Sequence, residues 1–127
     1  MVVVFGAGGL VCVGEIAPGF QLPYSVCRIT LLLSEPPGGP IWLTFMTTWC
    51  ATCKAESVAL RAVTTKRHAE ITHYAISLGE SVEKVNQAIE ATGGPLRVLV
   101  DSGRTVGAAY SIRAIPTHVF IDSRGFI

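Results

Sequence analysis

Two cysteines that lie three residues apart, Cys50 and Cys53, are the side chains of this sequence best suited to chemistry. They stand in the stretch TTWCATCKAE, directly behind Trp49. A pair at this spacing can exchange electrons as a dithiol, supply half of a zinc site, or consist of two inert buried residues. Each possibility needs a different structural setting, so the elements around the pair decide between them.

The elements next to the cysteines favour the dithiol. The apolar run IWLTFM at 41–46 is typical of a strand that is buried on both faces. From Ala51 to about Arg67 the residues are good helix formers. Cys50 is therefore expected where the strand ends and the helix begins, and the unpaired N–H groups there stabilise a thiolate. Cys53 follows within disulfide reach, so it can resolve a mixed disulfide that Cys50 has formed.

The other two interpretations of the pair find less support. A zinc site needs a second pair of ligands at matching spacing. The remaining candidates are scattered along the chain: Cys12, Cys27, His68, His73 and His118. Two inert cysteines are disfavoured because a helix start activates a thiol. Cys12 and Cys27 are expected to be small buried hydrophobic residues, with a bridge between them as the alternative.

Pro116 marks a second candidate region, in the stretch SIRAIPTHVFID. It directly precedes a predicted strand, where a proline cannot donate to the hydrogen-bond ladder. A cis Ile115–Pro116 peptide would leave the backbone of Ile115 free to pair with an incoming peptide. The alternative is a trans proline that begins an edge strand. The presence of a C-x-x-C pair elsewhere in the chain favours the cis form.

The rest of the sequence alternates between strands and helices. Strands are expected at 26–33, 71–78, 96–100 and 117–121, and helices at 81–92 and about 104–110. This order predicts an α/β domain with a central, mostly parallel sheet flanked by helices. On the first helix an apolar stripe predicts the buried face: Ala55, Val58, Ala59, Ala62 and Val63.

Length and composition fit one globular domain. The chain has 127 residues, of which 50% are apolar and 15% charged, so a sizeable core is expected and disorder is not. The formal charge of +1 is spread along the chain without a basic run, which argues against nucleic acid as a partner. Residues 1–12 form an apolar segment too short to span a membrane. We expect a first strand there or the remnant of an export or anchor segment.

These motifs resemble the thioredoxin superfamily, and within it the branch of extracytoplasmic thiol-disulfide oxidoreductases related to TlpA and ResA. The branch typically reads F-W-A-T-W-C-x-x-C-x-x-E and later Y-x-V-x-x-x-P-T-x-F-x-I-D-x-x-G. The chain reads FMTTWCATCKAE and YSIRAIPTHVFIDSRG, and VGEIAPGFQL at 13–22 is similar to the usual entry of the branch. The resemblance implies a thioredoxin-like fold over 13–127, with the TlpA-type helix–strand insertion at 81–100. It also implies that the domain is C-terminally incomplete, because the terminal helix of the fold is missing.

The resemblance implies roles for individual residues. Cys50 would be the exposed nucleophile and Cys53 the resolving thiol. Trp49 would pack beside the pair and bind substrate. Pro116 would be the cis-proline that faces the pair, and Ile115 would present its backbone to the substrate.

Glu56 matches the acid of C-x-x-C-x-x-E and is expected to exchange a proton with Cys53, with a surface glutamate as the alternative. Thr44 stands where thioredoxins carry a buried aspartate. Its hydroxyl can hydrogen-bond but cannot serve as a carboxylate base, so Glu56 is the acid expected to act. His118, two residues after Pro116, is expected to be structural.

The expected function is thiol-disulfide exchange with protein substrates, in the direction of a reductase and by a monomer, without metal or organic cofactor. The resemblance implies a location outside the cytoplasm, a membrane electron donor of the DsbD or CcdA type, and a task such as cytochrome c maturation. Two alternatives stay open. A peroxiredoxin-like peroxidase would use Thr47 of T-x-x-C, although Leu43 replaces the proline of that group. A non-catalytic thioredoxin-like module would bind a partner or copper, although copper carriers of related fold favour C-x-x-x-C with a distant histidine.

Overall fold

The computed structural model describes residues 4–6, 14–24, 30–33, 39–67, 71–92 and 97–127. The strands are β1 Val4–Gly6, β2 Phe20–Pro23, β3 Thr30–Leu33, β4 Ile41–Met46, β5 Thr72–Leu78, β6 Val98–Asp101 and β7 Thr117–Ile121. The helices are α1 Ala51–Arg67, α2 Val82–Thr92 and α3 Thr105–Ala109. From β3 to β7 the order of elements is the one that the sequence predicts, whereas the sequence did not predict β2. Cys12 and Cys27, and the expectations attached to them, lie outside the described residues.

Five strands form the central sheet in the order β1-β7-β4-β5-β6, and β2 pairs with β3 in a separate hairpin. The α/β class and the mostly parallel sheet are confirmed, since four of the five described strands of this sheet run in one direction. β4, β5 and β6 are parallel, whereas β7 is antiparallel to both β4 and β1. The reason lies in where β7 begins: its first residue, Thr117, pairs with Phe45 near the end of β4. This register places the loop that carries Pro116 at the carboxyl end of β4, which is also the end nearest to Cys50.

The central strand β4 is buried on both faces, as its unbroken apolar run predicts. Leu43 and Phe45 are fully buried in the main core on one face, and Thr44 and Met46 are buried on the other. Burial of apolar surface at ~25 cal/mol per Å² makes such a strand the natural centre of the fold. The position of the cysteines directly after β4 is therefore rigidly supported.

Helix α1 has the predicted length but packs through a different face. Ala55, Ala59 and Val63 of the predicted stripe are exposed, as is Ala62. Among the side chains of α1 that the structure describes, Cys53 and Leu60 are buried, and they lie seven residues, or about two helical turns, apart. Cys53 must lie against the sheet to reach Cys50. This requirement determines which face of α1 is buried, because burial of small alanine side chains contributes less. None of the helices described is long and apolar enough to cross a membrane.

Candidate active site

Cys50 occupies the N-cap position of α1. Its carbonyl accepts the first helical hydrogen bond, from the N–H of Lys54 at 3.1 Å. Its sulfur accepts the backbone N–H of Cys53 at 3.2 Å, the bond that a capping side chain makes. The positive end of the helix dipole therefore acts on the Cys50 sulfur, which stabilises negative charge there. The sequence-predicted position of Cys50 at the helix start is confirmed.

Both cysteines are thiols in the structure and both are largely covered. Cys50 is 8% exposed and Cys53 is 5% exposed, so the expectation of an exposed Cys50 is not met. They are covered because they belong to an apolar cluster that includes Met46 and Val85 and against which Ile115 packs. Burial raises the pKa of the Cys53 thiol to about 12, and the Cys50 thiol and the charge of Glu56 add to the effect. Cys53 therefore stays protonated near neutral pH and needs a base before it can attack.

A buried carboxylate, that of Glu80, holds the loop that leads to the cysteines. The N–H of Thr48 donates to it at 2.7 Å, the Thr48 hydroxyl at 2.5 Å and the Ser77 hydroxyl at 2.9 Å. Burial by itself would raise the pKa of Glu80, but these hydrogen bonds and Lys84 outweigh it and lower the pKa. The negative charge thus fixes the backbone two residues before Cys50 against the end of β5. The sequence signal is an acidic residue directly after a buried strand, and sequence reasoning missed it.

The predicted substrate-binding residues lie at the same end of the sheet. The Ile115–Pro116 peptide bond is cis, and the Thr117 hydroxyl closes this turn by donating to the Ala114 carbonyl at 2.6 Å. Ile115 is half-buried between the main core and the cysteine cluster. Trp49 is 64% exposed, so its ring presents apolar surface to solvent next to Cys50. An aromatic ring in this position is available for contact with a bound molecule.

Glu56 has a partner that the sequence did not predict. Its carboxylate lies 3.1 Å from Nε2 of His118, whose side chain is only 15% exposed. His118 reaches α1 because it pairs with Thr44 on the face of the sheet that the helix covers. The expectation that His118 is merely structural is therefore incomplete, since it contacts a candidate catalytic residue.

Thr44 joins two histidines beneath α1. Its hydroxyl lies 3.0 Å from Nδ1 of His118 and 2.8 Å from Nε2 of His73, which confirms its predicted hydrogen-bonding role. His73 is 4% exposed, and burial, with smaller effects of His118 and Arg97, lowers its pKa to about 4. His73 is therefore neutral near neutral pH. The position that holds an aspartate in thioredoxins is here a threonine hydroxyl that contacts two histidines.

Known proteins are similar to this chain in sequence or in fold. The thiol-disulfide oxidoreductase ResA of Oceanobacillus iheyensis is 32% identical over 119 residues, which are 91% of this chain. The chain spans 62% of the length of that relative. The thioredoxin domain of a thiol-disulfide oxidoreductase from Bacteroides vulgatus superposes with a TM-score of 0.81 at 20% identity, over 93% of this chain and 86% of the other. Peroxidoxin BcpB from Mycobacterium tuberculosis superposes with a TM-score of 0.74 at 20% identity, over 92% and 82%.

The structural matches establish the thioredoxin-like fold. At the level of sequence, the model of the AhpC/TSA family matches residues 13–127. That range begins before β2 and includes the cysteines, Glu56 and the cis-proline turn. The chain therefore belongs to the AhpC/TSA family.

Proposed function

We propose that this protein is a thiol-disulfide oxidoreductase that reduces protein disulfides through Cys50 and Cys53. The observation that carries the proposal is the capping geometry, in which the Cys50 sulfur accepts the N–H of Cys53 at the start of α1. This arrangement stabilises a thiolate and keeps the second thiol within one helical turn. The name of the Oceanobacillus iheyensis relative agrees with this activity.

The proposed reaction has two exchange steps. The Cys50 thiolate attacks a substrate disulfide, forms a mixed disulfide and releases the first substrate thiolate. Cys53 then gives its proton to the Glu56 carboxylate and attacks the Cys50 sulfur. The bond to the substrate breaks and the second thiolate leaves with the electron pair. The substrate gains two electrons, and the protein ends with a Cys50–Cys53 disulfide.

The proposed substrate is an extended peptide segment that carries a disulfide. The exposed ring of Trp49 offers an apolar contact beside Cys50. The turn at Ile115 and Pro116 offers backbone groups at the same end of the sheet, suited to pairing with a strand. In this proposal Trp49, Ile115 and Pro116 bind substrate, while Cys50 and its partner cysteine carry the electrons.

The oxidised pair needs a dithiol donor to return to the reduced state. By resemblance to the TlpA and ResA branch, this donor is a membrane protein of the DsbD or CcdA type. The same resemblance supports a site of action outside the cytoplasm and a task such as cytochrome c maturation. In this proposal the protein works as a monomer and needs no metal or organic cofactor.

A peroxidase is the second candidate, because the match to the AhpC/TSA family and the structural similarity to a peroxidoxin are both compatible with this activity. Thr47, three residues before Cys50, has a buried hydroxyl that lacks a hydrogen-bond partner in the described part of the chain. The test compares reduction of insulin disulfides with consumption of hydrogen peroxide, both with dithiothreitol as the donor. We expect disulfide reduction to be the faster reaction. Peroxide turnover that dominates would instead assign the protein to the peroxidases.

A further inference from the structure

Beneath α1, the hydrogen bonds of His118 permit a single placement of protons. The indole N–H of Trp42 is only a donor, and it lies 3.1 Å from Nδ1 of His118. Nδ1 must therefore accept, and the neutral imidazole carries its proton on Nε2. That N–H points to the Glu56 carboxylate oxygen, which lies 3.1 Å away and can only accept while ionised.

The remaining contacts connect His118 to the sheet. The Thr44 hydroxyl lies 3.0 Å from Nδ1 of His118 and 2.8 Å from Nε2 of His73. Nδ1 has a single lone pair that already accepts the Trp42 N–H, so the one hydroxyl proton of Thr44 can be directed to either imidazole. His73, Thr44, His118 and Glu56 thus form one series of contacts that ends at the carboxylate.

Packing holds this series in place. The ring of Trp42 lies edge-on to His73 at 4.8 Å between centroids and is stacked on Phe120 at 5.2 Å. His73 is 4% exposed, and the His118 side chain is 15% exposed. Glu56, in contrast, extends from α1 with 41% of its side chain exposed. Its carboxylate is close enough to Cys53 for its charge to raise the pKa of that thiol.

We propose that His118 is a positioning residue that holds the Glu56 carboxylate as the proton acceptor of Cys53. This inference rests on the proposed function, since it concerns the second exchange step. In that step the S–H bond of Cys53 breaks, its proton goes to Glu56, and the sulfur forms a bond with the Cys50 sulfur. The substrate sulfur leaves with the electron pair of the broken disulfide. His118 keeps its proton on Nε2 throughout and donates to the carboxylate both before and after the transfer.

The test separates the two exchange steps with 5,5′-dithiobis(2-nitrobenzoate) as the disulfide. Attack by Cys50 releases one coloured thiolate, and resolution by Cys53 releases a second, so stopped-flow absorbance shows two phases. We expect His118→Leu to slow the second phase by about tenfold, the scale of one lost charge-assisted hydrogen bond, and to leave the first unchanged. His118→Gln, which keeps an amide N–H donor, is expected to restore part of the second phase.

A double-mutant cycle shows whether His118 acts through Glu56. Glu56→Gln is also expected to slow the second phase by about tenfold, and the double variant is expected to be no slower than either single one. Val119→Ala is the matched control, because this buried residue is the next one on β7 and lies in the core of the opposite sheet face. It is expected to lower the free energy of unfolding without a selective effect on the second phase.

Several results would overturn the inference. An unchanged second phase in His118→Leu, equal slowing of both phases, or multiplicative effects of the His118 and Glu56 substitutions would each show that His118 does not position Glu56. A second phase slowed as much by Val119→Ala would assign the effect to lost stability. If the unsubstituted protein released no thiolate from the reagent, the proposed function itself would be wrong.

Discussion

Replacing Cys50 with serine is expected to lower kcat/KM for reduction of insulin disulfides by at least about a thousandfold, or ~4 kcal/mol. The serine oxygen can still accept the N–H of residue 53, so the cap of α1 and the fold should persist. A hydroxyl is not ionised near neutral pH and cannot form the mixed disulfide on which exchange depends. Turnover of insulin disulfides, with circular dichroism as a check of folding, measures the effect.

The matching substitution Cys53→Ser distinguishes the roles of the two cysteines. The Cys50 thiolate should still attack, but the mixed disulfide has no internal thiol to resolve it and should accumulate. Mass spectrometry of the unreduced protein after mixing with a disulfide peptide would show an adduct at Cys50. If Cys50→Ser formed the adduct and Cys53→Ser did not, the assigned roles would be reversed.

Acid is expected to destabilise the protein through His73. The unfolded chain binds a proton on this imidazole below about pH 6.5, whereas the folded chain does so only below about pH 4. Between these values unfolding takes up a proton, so the free energy of unfolding falls as the pH falls. The expected loss through His73 relative to pH 8 is about 2 kcal/mol at pH 5 and about 3 kcal/mol at pH 4.

Urea titrations across this pH range measure the effect, with His73→Gln as the control. The glutamine keeps an N–H donor for Thr44 but does not titrate. Contributions from other groups, such as Glu80, are common to both proteins and cancel in the difference. The variant should therefore lose about 2 kcal/mol less than the natural sequence between pH 8 and pH 5. Equal losses in the two proteins would contradict the assignment to His73.

Local sequence patterns were sufficient to predict the elements that carry the dithiol. β4 spans 41–46 as predicted, because a continuous apolar run of this length bounded by turn residues is typical of a buried strand. α1 spans Ala51–Arg67, and its junction with β4 places Cys50 at the N-cap. These features depend on residues that are close together in the sequence, so they can be predicted from the sequence alone.

The buried face of α1 and the reversed direction of β7 depend on tertiary structure. A stripe of alanines and valines predicted the wrong face of α1, because small apolar residues gain little from burial compared with Cys53 and Leu60. The direction of β7 follows from where the turn before Pro116 lies, next to the end of β4. Alternation of strands and helices does not contain that information.

The sequence did not predict the roles of His118 and Glu80, because their contacts also depend on tertiary structure. His118 meets Glu56 only through the antiparallel register in which His118 pairs with Thr44, and register between distant strands is not readable from one sequence. A signal was nevertheless present, since Thr44 is the one polar residue in the apolar run of β4 and a buried hydroxyl needs partners. Glu80 likewise accepts the N–H of Thr48, although the two residues are 32 positions apart in the sequence.

In the proposed reaction Cys50 and Cys53 together carry two electrons to a substrate disulfide. The most direct measurement mixes the reduced protein with oxidised insulin peptide, alkylates the remaining thiols and locates disulfides by peptide mass spectrometry. We expect one Cys50–Cys53 disulfide in the protein for each substrate disulfide that is reduced. Two results would contradict this reaction. Either the substrate is reduced while Cys53 remains a thiol and is alkylated, or the new disulfide forms at Cys12 or Cys27.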